Sequence, residues 1–189
     1  KSFMNLDNYI GASANSNRYI DEFPGGIFYP EMLGLKAEEE YYKGNKREAG
    51  ELFVSAAECS YDSDVAAQNY RRAAECFSET EDSLLSHDNY YQYVARVNRL
   101  VLRDSINEII PKDDIKLVRR ISYKLFDRRM YRTTLAFLRE VPEDDSLIFI
   151  EGLCRKNIGH YRSARRLFSS INDKDAFDKD IYPKTKYYS

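Results

Sequence analysis

Apolar residues from position 31 onward recur at helical spacing, in stretches separated by short breaks of Gly, Pro, Asn or Asp. Residues 46–60 show this best, because their apolar side chains fall on one helix face: Ala49, Leu52, Phe53, Ala56 and Ala57. Strict apolar–polar alternation never persists, and 8 Gly and 5 Pro are few for the many tight turns of an all-β protein. The sequence therefore predicts an all-α fold.

The breaks divide the chain into a series of helices joined by short turns. The predicted helices cover 31–43, 46–60, 65–77, 87–110, 115–126, 131–141, 146–157 and 161–171. The polar stretch 80–88 is predicted to be a loop. Gly44 and Gly159 are predicted to end helices, and Asp113 and Asp114 to cap the start of one.

The 189 residues correspond to one domain or to one segment of a longer array. We expect an irregular segment with at most a short helix over 1–30, a helical-repeat domain over 31–171, and a tail or capping segment over 172–189. No stretch has the pattern of a membrane span or a secretory signal. Cys59, Cys76 and Cys154 do not fit a disulfide framework or a zinc site, so we expect buried thiols in an intracellular protein of the cytoplasm or nucleus.

Charge is distributed unevenly along the chain. Residues 1–90 hold 8 Lys/Arg and 17 Asp/Glu, a net of −9, whereas residues 112–170 hold 14 and 8, a net of +6. The formal net charge of −2 disfavours attraction of the whole chain to nucleic acid or to a membrane surface. Two stretches of opposite net charge suit a directional electric field around the protein or self-association into a homodimer. Solvated helix faces that differ in composition explain the same charges equally well.

Three stretches align when each is centred on a turn residue, Gly44, Arg129 or Gly159. The residues seven before and five after the centre (−7 and +5) are Ala37 and Ala49, Ser122 and Thr134, and Gly152 and Ala164. Those at +9 and +12 are Phe53 and Ala56, Leu138 and Val141, and Phe168 and Ile171. Small residues at −7 and +5 let the two helices of a hairpin approach closely, the residue at +9 fills their groove, and the residue at +12 meets the next hairpin.

This order of small and large residues resembles the tetratricopeptide repeat, a helix-turn-helix unit of 34 residues. The resemblance is clear over 33–60 and 117–171 and weak over 61–110, and the spacing from Tyr131 to Tyr161 is 30 residues rather than 34. It implies antiparallel helix hairpins stacked as a right-handed superhelix, an α-solenoid. It also implies a non-catalytic scaffold or adaptor of a multi-subunit assembly. Such a protein binds a segment of a partner protein in a repeat groove or docks by an edge hairpin.

Two narrower resemblances involve parts of the chain. The segments EAGELFVSAAEC and VAAQNYRRAAECF are similar to helical hairpins of soluble NSF attachment proteins, which implies a vesicle-fusion adaptor as an alternative function. The segments LVRRISYKLFDRRMYRTTLAFLREV and LIFIEGLCRKNIGHYRSARRLF resemble repeats of anaphase-promoting-complex scaffold subunits. Both resemblances use residues that helix packing alone would also select.

In the repeat geometry, the first helix of each hairpin lines a concave groove. This places six residues toward a ligand: Arg119, Tyr123, Phe126, Phe149, Leu153 and Lys156. Their mixture of cationic and aromatic groups suits an extended peptide with apolar anchors and acidic flanks. Twin arginines, at 119–120, 128–129 and 165–166 among others, add candidate contacts to carboxylates or phosphates.

The sequence has no motif that predicts catalysis. It lacks a phosphate-binding glycine loop, a nucleophile elbow and a His-Glu-x-x-His helix, and its two histidines, His87 and His160, suit a helix start and a turn. We therefore expect no enzyme activity, no cofactor and no metal site. The alternative to a protein partner is RNA or DNA bound by the basic stretch 112–170.

Overall fold

The computed structural model describes residues 15–80, 82–97, 110, 114–141 and 144–171. Within these ranges every regular element is a helix and none is a strand, which confirms the all-α prediction. The helices are α1 (15–22), α2 (Tyr29–Lys43), α3 (Lys46–Cys59), α4 (Ser63–Glu79), α5 (Ser83–Arg96), α6 (Ile115–Asp127), α7 (Tyr131–Phe137) with a following 3-10 turn (Leu138–Glu140), α8 (Asp145–Asn157) and α9 (Tyr161–Ser170). The predicted tail, 172–189, lies outside the described residues.

The chain forms two compact units, Lys1–Val97 and Asn98–Ser189. In the first unit α2 packs on α3, α3 on α4 and α4 on α5; in the second α6 contacts α7 and α8, and α8 also contacts α7 and α9. The described part of each unit therefore holds two helix hairpins. We number them hairpin 1 (α2/α3) and hairpin 2 (α4/α5) in the first unit, and hairpin 3 (α6/α7) and hairpin 4 (α8/α9) in the second.

The three residues chosen from the sequence as turn centres share a left-handed backbone. Gly44 has φ 91°, Gly159 has φ 86°, and Arg129 is a non-glycine residue with φ 58°. At each turn the next residue donates its N–H to the carbonyl four positions before the centre: Asn45 to Glu40 at 2.9 Å, Met130 to Leu125 at 2.9 Å and His160 to Arg155 at 2.8 Å. This is a Schellman-type end, and the three aligned stretches share it.

The same bond identifies a fourth copy that the sequence alignment missed. Asp82 N–H donates to the Phe77 carbonyl at 3.2 Å, so Phe77 corresponds to position −4 and Asp82 to position +1 of the alignment. In this numbering Ala74 is at −7, Ser86 at +5 and Tyr90 at +9, and all three are buried. The Ser86 hydroxyl donates to the Ala74 carbonyl at 3.0 Å, so the two small residues are in direct contact. The alignment missed this copy because its turn has no glycine to mark it.

The small residues of the aligned positions, which were expected to let two helices approach closely, lie in the interior. The small residues at −7 and +5 are buried in all three aligned copies: Ala37, Ala49, Ser122, Thr134, Gly152 and Ala164. In hairpin 4 a Cβ built on Gly152 would lie 2.9 Å from Cδ1 and Cζ of Phe168, the +9 residue. The ring therefore occupies the space that the missing side chain leaves open.

Two predicted elements in the middle of the chain are wrong. Residues 80–88 are not a loop, because α5 begins at Ser83 with the Asp82 carboxylate accepting the Leu85 N–H at 3.3 Å. Its buried polar side chains are satisfied locally: Asn89 donates to the Leu85 carbonyl at 2.8 Å, and a polar composition therefore does not exclude a packed helix. The predicted helix 87–110 ends at Arg96, where Val97 turns to extended backbone, and most of its remainder lies outside the described residues.

Smaller corrections concern helix ends and one thiol. The predicted helix 131–141 stops at Phe137 and continues as the 3-10 turn, with Val141 extended. Asp114 caps α6 as predicted, by accepting the Leu117 N–H at 3.0 Å, and Asp113 lies outside the described residues. Cys76 and Cys154 are buried free thiols as expected, whereas Cys59 is exposed.

We expect Gly50→Ala to destabilise the first unit by about 1–3 kcal/mol, the usual cost of overpacking a core. A Cβ on Gly50 would lie 2.8 Å from Cε1 and Cζ of Phe77, whose side chain is only 2% exposed. The free energy of unfolding from urea denaturation measures the change.

Gly34→Ala is the matched control in the same unit. The nearest atom to a Cβ on Gly34, Asn69 Oδ1, is 3.7 Å away, so this change should stabilise α2 by up to about 1 kcal/mol through helix propensity. Equal effects of the two substitutions would contradict the close contact between Gly50 and Phe77.

Candidate interaction site

The six residues predicted to line a groove lie on α6 and α8 of the second unit. Arg119 of α6 reaches the residue that caps α8: its Nη2 lies 2.6 Å from Asp144 Oδ2, and its Nε donates to Oδ1 at 3.2 Å. Asp144 in turn accepts the Leu147 N–H at 3.2 Å, as the N-cap of α8. Arg119 therefore joins the first helices of hairpins 3 and 4, and its guanidinium is engaged by a carboxylate of the same unit.

The apolar members of the predicted set lie against the second helix of their own hairpins or in the core. The Phe126 ring centroid is 5.6 Å from that of Tyr131 in α7, and the Phe149 centroid is 5.6 Å from that of Phe168 in α9. Leu153 is 8% exposed. Tyr123 is partly buried and Lys156 is exposed.

A cavity of about 540 Å³ opens on hairpin 4, and Lys156 is the predicted residue that lines it. The remaining lining comes from α9 and the residue after it: Tyr161, Ala164, Arg165, Phe168, Ser169 and Ile171. The prediction assigned ligand contacts to first helices and so missed these residues. The signal was nevertheless present in the sequence, because Tyr161, Ala164, Phe168 and Ile171 are the +2, +5, +9 and +12 residues of the repeat alignment.

The chemistry of this cavity suits an acidic and apolar ligand. Lys156 and Arg165 supply two cationic side chains to the lining, and Phe168 and Ile171 supply apolar surface. Helix α9 carries three arginines and no acidic residue, and Arg162, Arg165 and Arg166 are all exposed. Tyr161 is 68% exposed and offers a ring with a polar tip, as is common in protein interfaces.

A polar network in the first unit ties hairpin 1 to hairpin 2. The Tyr41 hydroxyl donates to Glu79 Oε1 at 2.7 Å, and Lys46 Nζ lies 3.2 Å from Glu79 Oε2 and 3.0 Å from the centre of the Tyr41 ring. The hydrogen bond from Tyr41 lowers the pKa of the Glu79 carboxyl and raises the pKa of the Tyr41 hydroxyl. This network fixes a carboxylate of α4 against a tyrosine and a lysine of the preceding hairpin.

A second set of contacts also holds hairpin 1 and hairpin 2 together. Arg72 of α4 binds Glu38 of α2 through two hydrogen bonds, of 2.9 Å and 2.7 Å, and donates to Glu75 at 2.7 Å. Its guanidinium carbon also lies 4.9 Å from the centre of the Tyr41 ring. These partly buried, bidentate contacts are the strongest kind of surface ion pair.

His160 lies at a turn as the sequence predicted, whereas the predicted helix start at His87 is wrong, because α5 begins at Ser83. His160 is the exposed N-cap of α9, and His87 is a partly buried residue within α5. In the described ranges, no three His, Cys, Asp or Glu side chains are grouped so that they could hold a metal ion. No helix among the described residues has the length and apolarity to cross a membrane.

The sequence matches no protein-family model, no curated protein and no solved structure.

We expect the stability of the second unit to depend on the ionised Asp144 carboxylate. Burial raises the pKa of Asp144, but the hydrogen bonds from Arg119 and from the Leu147 N–H outweigh burial, so its pKa in the folded state is lowered. A lowered pKa contributes stability that is present above the unfolded value, near pH 4, and is lost as the pH falls through the folded value. Urea denaturation of the native chain and Asp144→Asn at pH 7 and pH 3 measures this contribution.

Asparagine can still cap α8 but cannot form the ion pair, so Asp144→Asn should be less stable than the native chain at pH 7 and should differ less from it at pH 3. Asp144→Ala also loses the cap and should cost about 1 kcal/mol more. A constant difference between the native chain and Asp144→Asn over this range would show that the Arg119 pair contributes no net stability.

Proposed function

We propose that this protein is a non-catalytic interaction module that binds a segment of a partner protein on its second unit. The observation that carries the proposal is the cavity on hairpin 4, whose lining combines Lys156 and Arg165 with Phe168 and Ile171. Two cations around apolar surface fit a peptide that presents an apolar side chain beside a carboxylate. A large part of such a contact would be electrostatic, which favours selectivity and fast association.

The proposal includes a tetratricopeptide-like superhelix as the scaffold. Four hairpins with one shared turn bond and buried small residues at −7 and +5 support it. Contacts from the first helix of one hairpin to that of the next support it too, through Glu38 and Arg72 in the first unit and Arg119 and Asp144 in the second. In such an arrangement each hairpin covers the apolar side of its neighbour.

Catalysis has no part in this proposal, because the cavity combines cations with aromatic and aliphatic groups and contains no nucleophile paired with a base. Three free cysteines support action inside the cell, where thiols stay reduced.

RNA or DNA is the second candidate ligand, and α9 is the feature that favours it. Its three arginines are exposed and no acidic residue lies between them, so the helix could contact successive phosphates. This kind of binding depends on the number of cations rather than on the cavity, and it weakens steeply with salt.

Two charge-reversed variants distinguish a cavity-bound protein from a nucleic acid. Lys156→Glu/Arg165→Glu reverses the two cavity cations, and Arg162→Glu/Arg166→Glu reverses two exposed cations of the same helix outside the cavity lining. The measurement is affinity capture from lysate with mass spectrometry, followed by titration of each captured protein against the native chain and both variants.

We expect the Kd of Lys156→Glu/Arg165→Glu for a captured protein to rise at least about tenfold, equivalent to about 1.4 kcal/mol. The Kd of the control variant should stay within about twofold of that of the native chain. If both variants lose affinity equally and nuclease treatment abolishes capture, the ligand is a nucleic acid and not a protein. If both variants bind as the native chain does, the second unit is not where the partner binds.

A further inference from the structure

The segment between α1 and α2 presents three large apolar side chains to solvent. Phe23 is 53% exposed, Ile27 is 75% exposed and Phe28 is 56% exposed. Single exposed apolar side chains are ordinary on protein surfaces, but three of them this close together in the chain form a patch of the kind found at interaction sites. We call Phe23, Ile27 and Phe28 the apolar tip of the first unit.

Hydrogen bonds and ring contacts hold the backbone of the apolar tip in place. Gly26 N–H donates to the Phe23 carbonyl at 2.9 Å, and Tyr29 N–H donates to the Gly26 carbonyl at 2.9 Å. The hydroxyl of Tyr19, in α1, accepts the Phe28 N–H at 3.4 Å. The Tyr19 ring centroid also lies 5.2 Å from that of Phe23 and 6.4 Å from that of Phe28. Because the tip is ordered before binding, a partner does not bear the entropic cost of ordering it.

The charged residues that adjoin the apolar tip in the chain are mainly acidic. Asp21 and Glu22 precede the tip, Glu31 follows it, and all three are exposed. The cation of α1, Arg18, donates to Glu22 at 2.7 Å. The wider stretch 1–90 has the same sign, with a net of −9. The tip therefore suits a surface that is concave, partly apolar and basic.

The cavity on hairpin 4 has these complementary properties. Its volume of about 540 Å³ lies within the range of about 300–1,000 Å³ that is usual for ligand sites, and Phe168 and Ile171 line it with apolar surface. Arg165 belongs to the lining, and Arg162 and Arg166 are exposed on the same helix. Among the described residues, no carboxylate forms an ion pair with any of these three arginines.

We infer that this protein self-associates head to tail, with the apolar tip of one copy bound in the hairpin 4 cavity of a second copy. The apolar side chains of the tip contact Phe168 and Ile171, and the carboxylates of Asp21 and Glu31 face the arginines of α9. Every copy carries both surfaces, so each surface meets its complement at the concentration of the protein itself. This inference rests on the proposed function and specifies the partner as a second copy of this chain.

The two contacting surfaces differ, so the interface is heterologous. A head-to-tail dimer leaves one tip and one cavity without an occupant, and further copies then add until a ring closes or an open chain grows. A symmetric dimer, in which the same patch meets itself, has no such continuation. Growth beyond the dimer therefore distinguishes this arrangement from a symmetric one.

Sedimentation velocity of the full chain measures the association, in reducing buffer because the exposed Cys59 thiol can otherwise link two copies. We expect the native chain to sediment faster as its concentration rises from about 1 to about 100 µM. Ile27→Ser removes the most exposed side chain of the tip, and Arg165→Glu reverses the arginine of the cavity lining. Both side chains are exposed, so neither substitution removes core packing, and each should weaken self-association at least about tenfold.

Mixing the two variants tests the head-to-tail contact directly. Ile27→Ser retains an intact cavity, and Arg165→Glu retains an intact tip. The mixture should therefore form a dimer that contains one copy of each variant, and this dimer should not grow, because its remaining tip and cavity are both altered. A symmetric interface, or a contact within one chain, would not be restored by mixing.

Leu84→Ser and Arg132→Glu are the matched controls. Leu84 is 61% exposed on α5, Arg132 is exposed on α7, and neither belongs to the apolar tip or to the cavity lining. Each control should change the association constant by less than about twofold. A control that weakens association as much as its matched variant would overturn the inference.

A native chain that stays monomeric up to about 100 µM would overturn the inference, and so would a mixture of the two variants that does not associate. If the native chain is monomeric while Lys156→Glu/Arg165→Glu loses captured partners, only the second copy is refuted as the occupant, and the interaction module stands. Failure of both experiments would refute the proposed function itself.

Discussion

The close approach of two helices within each hairpin is the constraint on which the rest of the structure depends. It requires small residues at two facing positions, and Ala37 and Ala49 satisfy this with side chains that are fully buried. It also requires an abrupt chain reversal, which a left-handed residue and the bond from +1 to −4 provide. Once two helices are this close, the groove between them accepts one large residue, and the next element packs over it. The seat of α4 on hairpin 1 and the cavity on hairpin 4 both arise from this geometry.

Local signals in the sequence sufficed for most of the helices and for three of the turns. The chain reversals were located from glycine at positions 44 and 159 and from the equivalent spacing around Arg129. This works because few residue types readily adopt a left-handed backbone. The same reasoning failed where tertiary contacts replace local ones. Ser86 looks like a loop residue, but its hydroxyl is satisfied by the Ala74 carbonyl of the neighbouring helix, which no periodicity reveals. Val97 ends α5 without a glycine or proline, so the sequence suggested a helix that continued beyond it.

The site was less predictable than the fold, because assigning a ligand surface needs knowledge of what each face already contacts. Lys156 was selected from the sequence and lies at the cavity, whereas Arg119 is engaged by Asp144 and Leu153 is buried. Aromatic and cationic residues at helical spacing could equally face a ligand, a neighbouring helix or the core. Comparing residues at the same repeat position in two hairpins helps to separate these cases, because the contacts of one residue indicate which contacts its equivalent can make.

The phenylalanine at repeat position +9 is buried to different extents in hairpins 1 and 4, and this difference has a thermodynamic consequence. Phe53 in hairpin 1 is 2% exposed, whereas Phe168, at the same position of hairpin 4, is only partly buried. Opening of hairpin 4 therefore exposes less new apolar surface at this position than opening of hairpin 1, so we expect local unfolding of hairpin 4 to cost less free energy. A ligand that covers Phe168 binds the closed form alone, so amide exchange in α9 would slow in proportion to ligand concentration. The population of the closed hairpin would then depend on the concentration of such a ligand.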